Sequence, residues 1–404
     1  MQPESSSVKQ SHAGSAILPA LAASLIYSIS SGLRANYGVL LGPISQSSGV
    51  DYASVSFVLA IAQLVFGVAQ PLFGLLAIKK SNAFVLRGGV VLMAAGLLSL
   101  PLCKSMWSLM LMLGLALSSG TAALSFGIVM GIITPQIPRR VVPTVSGIVT
   151  ASSGAGSTVL SPLIQILCAA AGLTGAALFL GIPSLLLLPV SVLLCRPAAR
   201  AAAGSAPKEA VSIPGLLREA EKSKDYRFLL AGFFTCGFHM AIIETHLFTQ
   251  ITGCGFSEQI AAYAFSVYGI STMVGSVISG ALCGRFYMKN VLGALYASRV
   301  GLVLLFLALP KSLAVIYGFA VLLGLTGAAT VPPTSGLTER LFGAAKLAML
   351  FGVVFFSHQI GSFFSAWLGG ICLSVTGGYT IIWLADAVFS AIAAVVSFLI
   401  KEKG

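Results

Sequence analysis

The stretch Phe84–Cys103, FVLRGGVVLMAAGLLSLPLC, runs twenty residues with Arg87 as its only charge, near one end. Twenty apolar residues in helical form reach about 30 Å, the thickness of a bilayer's hydrocarbon core. Comparable stretches recur on both sides of it, giving expected spans at 16–41, 52–77, 84–103, 106–131, 142–168, 172–195, 227–251, 259–283, 291–309, 313–336, 347–373 and 379–400. Composition agrees: 8% of the 404 residues are charged and 57% hydrophobic, with a mean hydropathy of +0.98. A soluble domain carries roughly 25% charged residues. The expected class is an all-α integral membrane protein of twelve transmembrane helices in a lipid bilayer.

The net charge of +12 invites a nucleic-acid reading, but its distribution argues against one. With twelve spans, 19 of the Lys and Arg residues fall on the side of the two termini, and only Lys104 and Lys311 on the other. That is the positive-inside pattern, which places both termini in the cytoplasm of a cell-membrane protein. Arg34 and Arg299 remain inside the membrane. The polar segment Met1–Gly14 lacks the features of a cleavable signal peptide. The seven cysteines are scattered and form no CxxC pair, so neither a disulfide framework nor a metal site is expected.

The chain repeats itself. Ser31–Arg34 falls on Cys236–His239 at an offset of 205, as Gly147, Ser152, Gly156 and Ser157 fall on Gly352, Ser357, Gly361 and Ser362. Gly74 and Lys79 match Gly280 and Arg285 at 206, and Lys104, Ser105 and Gly120 match Lys311, Ser312 and Gly327 at 207. A near-constant offset indicates a duplicated six-helix unit. The expected organisation is a bundle over 1–195, a cytoplasmic linker over 196–226 with a short interfacial helix within Ser212–Asp225, and a second bundle over 227–404.

A six-plus-six chain with a middle loop resembles the major facilitator superfamily, whose loop after the second helix reads Gly-x-x-x-Asp-Arg-x-Gly-[RK]-[RK]. Here Gly74-Leu75-Leu76-Ala77-Ile78-Lys79-Lys80 and Gly280-Ala281-Leu282-Cys283-Gly284-Arg285 keep the glycine and the basic position, but both lack the acid. Cys236-Gly237-Phe238-His239 through Glu244-Thr245-His246, Phe355-Phe356-Ser357-His358-Gln359-Ile360-Gly361 and Arg34-Ala35-Asn36-Tyr37-Gly38 resemble bacterial monocarboxylate-transporter-like facilitators. The aspartate–arginine pair that well-studied monocarboxylate transporters carry on the eighth helix is absent, with Thr272 and Ser276 in its place. The basic signature before the fifth helix is reduced to Ile137-Pro138-Arg139-Arg140. The resemblance implies that helices 1, 4, 7 and 10 line a central cavity and that 2, 5, 8 and 11 form the gates.

Ionisable groups in a membrane are costly and point to function or to a partner. Arg34 is the foremost candidate substrate ligand, since a guanidinium fork matches a carboxylate; Tyr27 and Tyr37 lie on or near its face. Alternatively Arg34 pairs structurally with Glu244 or Asp386. His239 and His246, seven residues apart on one face, and His358 with Gln359 are further substrate-binding candidates. Glu244 is either a proton carrier or an ion-pair partner of Arg299, while Asp386 reads as structural. No Walker motif, HExxH or GxSxG occurs, so neither an enzyme nor an ATP-driven pump is expected, and no cofactor. The expectation is a monomeric secondary transporter of a small organic anion, a monocarboxylate, working with a proton or a counter-anion. An exporter of drugs or amphipathic metabolites is the alternative.

Overall fold

The computed structural model describes residues 7–137, 142–202 and 213–402. Among these the secondary structure is helical throughout. Eleven stretches are long and apolar enough to cross a membrane, and one of them, Val145–Cys195, spans 51 residues. A straight helix of that length would measure about 77 Å, far beyond a bilayer. It turns back at Gly172, whose φ of 63° and ψ of −168° only glycine tolerates well, and so supplies two crossings. Twelve crossings result.

We label them α1 (Ser7–Ala35, resuming after Asn36 as Tyr37–Ser48), α2 (Tyr52–Lys79), α3 (Asn82–Ser99), α4 (Met106–Ile133), α5 (142–171) and α6 (173–184, then Leu187–Ala202). The second set is α7 (Lys224–Gly253), α8 (Glu258–Cys283), α9 (Met288–Ala308), α10 (Leu313–Phe342), α11 (Ala344–Thr376) and α12 (Thr380–Phe398). The expected linker is described only in part. A helix over Ile213–Lys222 lies within it, and Glu219 forms an ion pair with Lys346 at the start of α11, 2.8 Å apart. Residues 203–212, and Arg139 with Arg140 of the reduced signature, lie outside the described residues.

Small residues let the helices approach. Gly32 of α1 rests on the backbone of Gly156 in α5, and its counterpart Gly237 of α7 on that of His358 in α11, one turn from the matching place. Between the halves, α2 packs on α11 and α5 on α8. Ser266 donates to the Thr158 carbonyl at 2.7 Å, and Ser161 to that of Ala262 at 3.0 Å. Gly67 meets Gln359, and Gly370 meets Ser56. Toward the termini, a methyl group built on Gly74, Gly147, Gly280 or Gly352 would meet no described atom within 4 Å. The contacts of α2 with α11 and of α5 with α8 close the side away from the termini. Large apolar side chains such as Phe179 (67% exposed) and Val277 (70%) face outward, as lipid contact requires.

The four helices that the resemblance assigns to a central cavity are all irregular. α1 breaks at Asn36; α4 turns at Leu124–Ser125; α7 widens to a π-helical turn over Ile243–Leu247; and α10 breaks at Gly327. Such irregular backbone at membrane depth marks sites where helices hold something other than lipid.

Candidate functional site

Arg34 sits two residues before the break in α1. Asn36, fully buried, holds that break by donating its amide to the carbonyls of Gly32 (2.8 Å) and Ser157 (3.4 Å). Just beyond, Gly38 lies on the backbone carbonyls of Glu244 and Thr245, so α1 crosses α7 at its π-helical turn. That crossing brings Glu244 to Arg34. The ion pair spans 3.7 Å between Nη1 and Oε2, with side chains 14% and 6% exposed. At that length it is an electrostatic contact without a direct hydrogen bond. The guanidinium's hydrogen bond goes to Gln63 Oε1 of α2, 2.8 Å away. Its plane stands over the Phe66 ring, 4.6 Å from the centroid, a cation–π contact. Arg34 is therefore held by two groups of α2 and attracted by one of α7, across the boundary between the halves.

The expected alternative of a Glu244–Arg299 pair gives way here, because Glu244 faces Arg34 and Arg299 is bound elsewhere. Arg299, fully buried in α9, instead donates Nη2 to the carbonyls of Thr326 and Gly327, at 2.6 and 2.8 Å, and so closes the break in α10. Cys236 Sγ lies 3.8 Å from the same nitrogen.

The three candidate histidines sit in three different settings. His239 turns to α12, with Nδ1 at 2.6 Å from Asp386 Oδ2 and both side chains fully buried. His246 contacts the Tyr52 hydroxyl of α2 through Nδ1 (3.0 Å) and the Ala366 carbonyl of α11 through Nε2 (2.9 Å). His358 stacks on Phe355, with ring centroids 5.4 Å apart and an interplanar angle of 2°, and Gln359 and Ser362 lie 3.4 Å from its Nδ1. Phe355 in turn meets Phe66 at 6.4 Å, so only His358 connects through an aromatic neighbour to the Arg34 site. Gln359 is fully buried, its Oε1 unpartnered among the described residues.

Tyr27 is half-buried and tilted against Phe126 of α4 at 5.8 Å. Tyr37 lies past the break and is buried, its hydroxyl without a partner among the described residues. Gln63 and Phe66 were not among the expected site residues. Two amides, Gln63 and Gln70, interrupt the apolar middle of α2, and the one at the depth of Arg34 is the signal that could have found them. Thr272 and Ser276 only return hydrogen bonds to their own helix, to Tyr268 and Thr272, so they do not replace the missing charged pair on α8. Among the described residues, no cluster of three His, Cys, Asp or Glu could hold a metal ion.

Comparisons with known proteins agree with this architecture. Among solved structures, a bacterial homologue of the human lysosomal transporter Spinster, in an inward-facing and occupied conformation, superposes with a TM-score of 0.71 at 16% identity, covering 94% of this chain and 95% of its own. The fucose:proton symporter FucP of E. coli gives 0.64 at 14%, covering 96% and 100%. Among curated sequences, the uncharacterised MFS-type transporter YcxA of Bacillus subtilis (strain 168) is 24% identical over 383 residues, 92% of each chain. Monocarboxylate transporter 12 of Homo sapiens is 26% identical over 87% of this chain and 74% of its own. The model of the Major Facilitator Superfamily matches residues 23–319 and 255–404, and with that match over nearly the whole length the chain belongs to the Major Facilitator Superfamily of membrane transporters.

Proposed function

We propose that this transporter carries a small organic anion, a monocarboxylate, together with a proton. The observation that carries the reading is the Arg34–Glu244 contact across the two halves. While Glu244 is ionised it neutralises Arg34. A proton on Glu244 removes that attraction, and the guanidinium fork is then free to take a carboxylate in bidentate geometry. Anion and proton thus enter as a neutral pair, which suits a site where an unpaired charge is costly. The resemblance to proteins named as monocarboxylate transporters supports the same class. On this reading residues 1–195 and 227–404 rock against each other about the site, joined by the linker 196–226, and the termini face the cytoplasm.

Phe66, Phe73 and Phe355 pack together beside Arg34, which favours an acid with an apolar body. The same cluster supports the second reading, export of amphipathic anions.

Binding tests the proposal directly. Purified protein should be stabilised in thermal unfolding by some members of a panel such as propionate, pyruvate and benzoate. Arg34→Gln should fold and lose that stabilisation, and Arg34→Lys should recover it only in part, since a point charge cannot replace the planar fork. Equal stabilisation of Arg34→Gln by the same acids would place the anion elsewhere.

A further inference from the structure

The geometry points to Tyr52 as the pin of a latch that keeps the side opposite the termini closed, whatever the cargo. Tyr52 is the first residue of α2, and its hydroxyl meets three groups, all from the other half of the chain. They are His246 Nδ1 at 3.0 Å, Tyr379 Oη at 2.8 Å and Thr249 Oγ1 at 3.1 Å. A phenol offers one donor and two lone pairs. His246 constrains the direction of the network. Its Nε2 faces the Ala366 carbonyl, which can only accept, so Nε2 carries the proton and Nδ1 is an acceptor. The one Tyr52 proton is shared between Nδ1 and Thr249 Oγ1, and Tyr379 can donate to the phenol oxygen. The imidazole is seated tightly, fully buried against Gly369 of α11, where even a methyl group would strike its ring.

The consequence is conformational. Opening this side requires α2 to part from α7, α11 and α12, and all three contacts of the Tyr52 hydroxyl then break together. The hydroxyl contacts between α5 and α8 lie in the same closed region but run to backbone carbonyls, one partner at a time. Tyr52 is different in that one side chain of the first half ties three side chains of the second. The terminus-side loops lack the acid that would form a charge latch there, so the balance between the two open states rests heavily on this opposite-side contact. His246 and Tyr379 are thereby gate residues, and His246 leaves the set of substrate ligands.

Lys104 and Lys311 stand at matched loops on the closed side. In a variant with the native cysteines replaced, spin labels at Lys104→Cys and Lys311→Cys report its opening by double electron–electron resonance. The protein with Tyr52 intact should show mainly the short distance. Tyr52→Phe keeps the ring and removes only the hydroxyl, and it should raise the ratio of long to short distances about ten-fold. Trp383→Phe is the control. It removes the 2.6 Å bond from Trp383 Nε1 to Gln250 within the second half, and should leave the ratio unchanged. An unchanged distribution in Tyr52→Phe overturns the latch, and so does an equal shift in Trp383→Phe, which would mean general loosening. Neither result depends on which solute is carried.

Discussion

Gly120 of α4 and Gly327 of α10 occupy matched places in the two halves, and their surroundings differ in kind. In the first half the backbone of Met93, from α3, lies directly on Gly120. In the second, Arg299 of α9 reaches in and binds the Thr326 and Gly327 carbonyls. One half closes α3 on α4 by bare backbone contact, and the other closes α9 on α10 with a buried cation. That cation also stands over the Tyr296 ring of its own helix, 5.3 Å from the centroid, while Asp386 of α12 holds His239. The duplication has kept the helix positions and divided the polar work. The first half contributes Arg34 to the site and the second Glu244, and the second also carries the buried contacts of Arg299 with α10 and of His239 with Asp386.

The largest effect should come from removing that buried cation. Arg299→Gln leaves the Thr326 and Gly327 carbonyls unsatisfied in the interior, at a cost of about 1–3 kcal/mol for each. Met93→Leu in the first half should cost under about 1.5 kcal/mol. Unfolding of both variants in detergent tests the contrast, and equal losses would mean that the two interfaces are held alike. The matched glycines should show the opposite order. Gly120→Ala forces a methyl into the Met93 backbone and should cost about 1–3 kcal/mol. Gly327→Ala would meet the Leu323 carbonyl and the Tyr268 hydroxyl at 3.2 Å and Met240 Sδ at 3.4 Å, closer than usual but not overlapping, and should cost about 1 kcal/mol. A Gly327→Ala variant less stable than Gly120→Ala would break the comparison.

The smallest effect concerns the caps of α2 and α8. Asp51 accepts from the Ser54 backbone at 3.0 Å, while Ser257 does the same for Ile260 at 3.3 Å. The Ser54 side chain and backbone hold the Asp51 carboxyl below its ordinary range. Its stabilisation is therefore fully present above the unfolded carboxylate's pKa and fades as pH falls through the lower, folded value. Asp51→Ala should cost about 1 kcal/mol near neutrality, and less near pH 3. Ser257→Ala should cost the same at both. Unfolding measured at the two pH values separates them; a pH-independent loss for Asp51→Ala would show that its charge is immaterial.

The fold was legible because its signals are coarse: apolar length, basic residues on one side and a constant repeat offset. Arg34 stood out for the same reason, as a charge with no neighbour in sequence to neutralise it. Its partner was harder to read. On a regular helix Glu244 points sideways, and in the structure it meets Arg34 where α1 crosses the π-helical turn over Ile243–Leu247. Helical spacing also grouped His239 with His246, yet the same widening separates them into an α12 contact and an α2 contact. Tyr52 and Tyr379 gave no signal, since tyrosines at helix ends are ordinary at a membrane interface. Arg299 was seen as buried, but the break in α10 that it fills has no marker beyond one glycine among many.

The central claim is that Glu244 governs Arg34 by its charge, and Glu244→Gln tests it most directly. In proteoliposomes the measurement is uptake of a labelled acid that stabilises the parent protein, once with an imposed pH gradient and once as exchange against the same acid inside. The amide keeps the size of the side chain and leaves Arg34 permanently available. The account predicts that accumulation driven by the gradient is lost while exchange, which moves no net proton, continues. Gradient-driven accumulation at the parental level in Glu244→Gln would contradict it, and would move the proton to another residue or out of the mechanism.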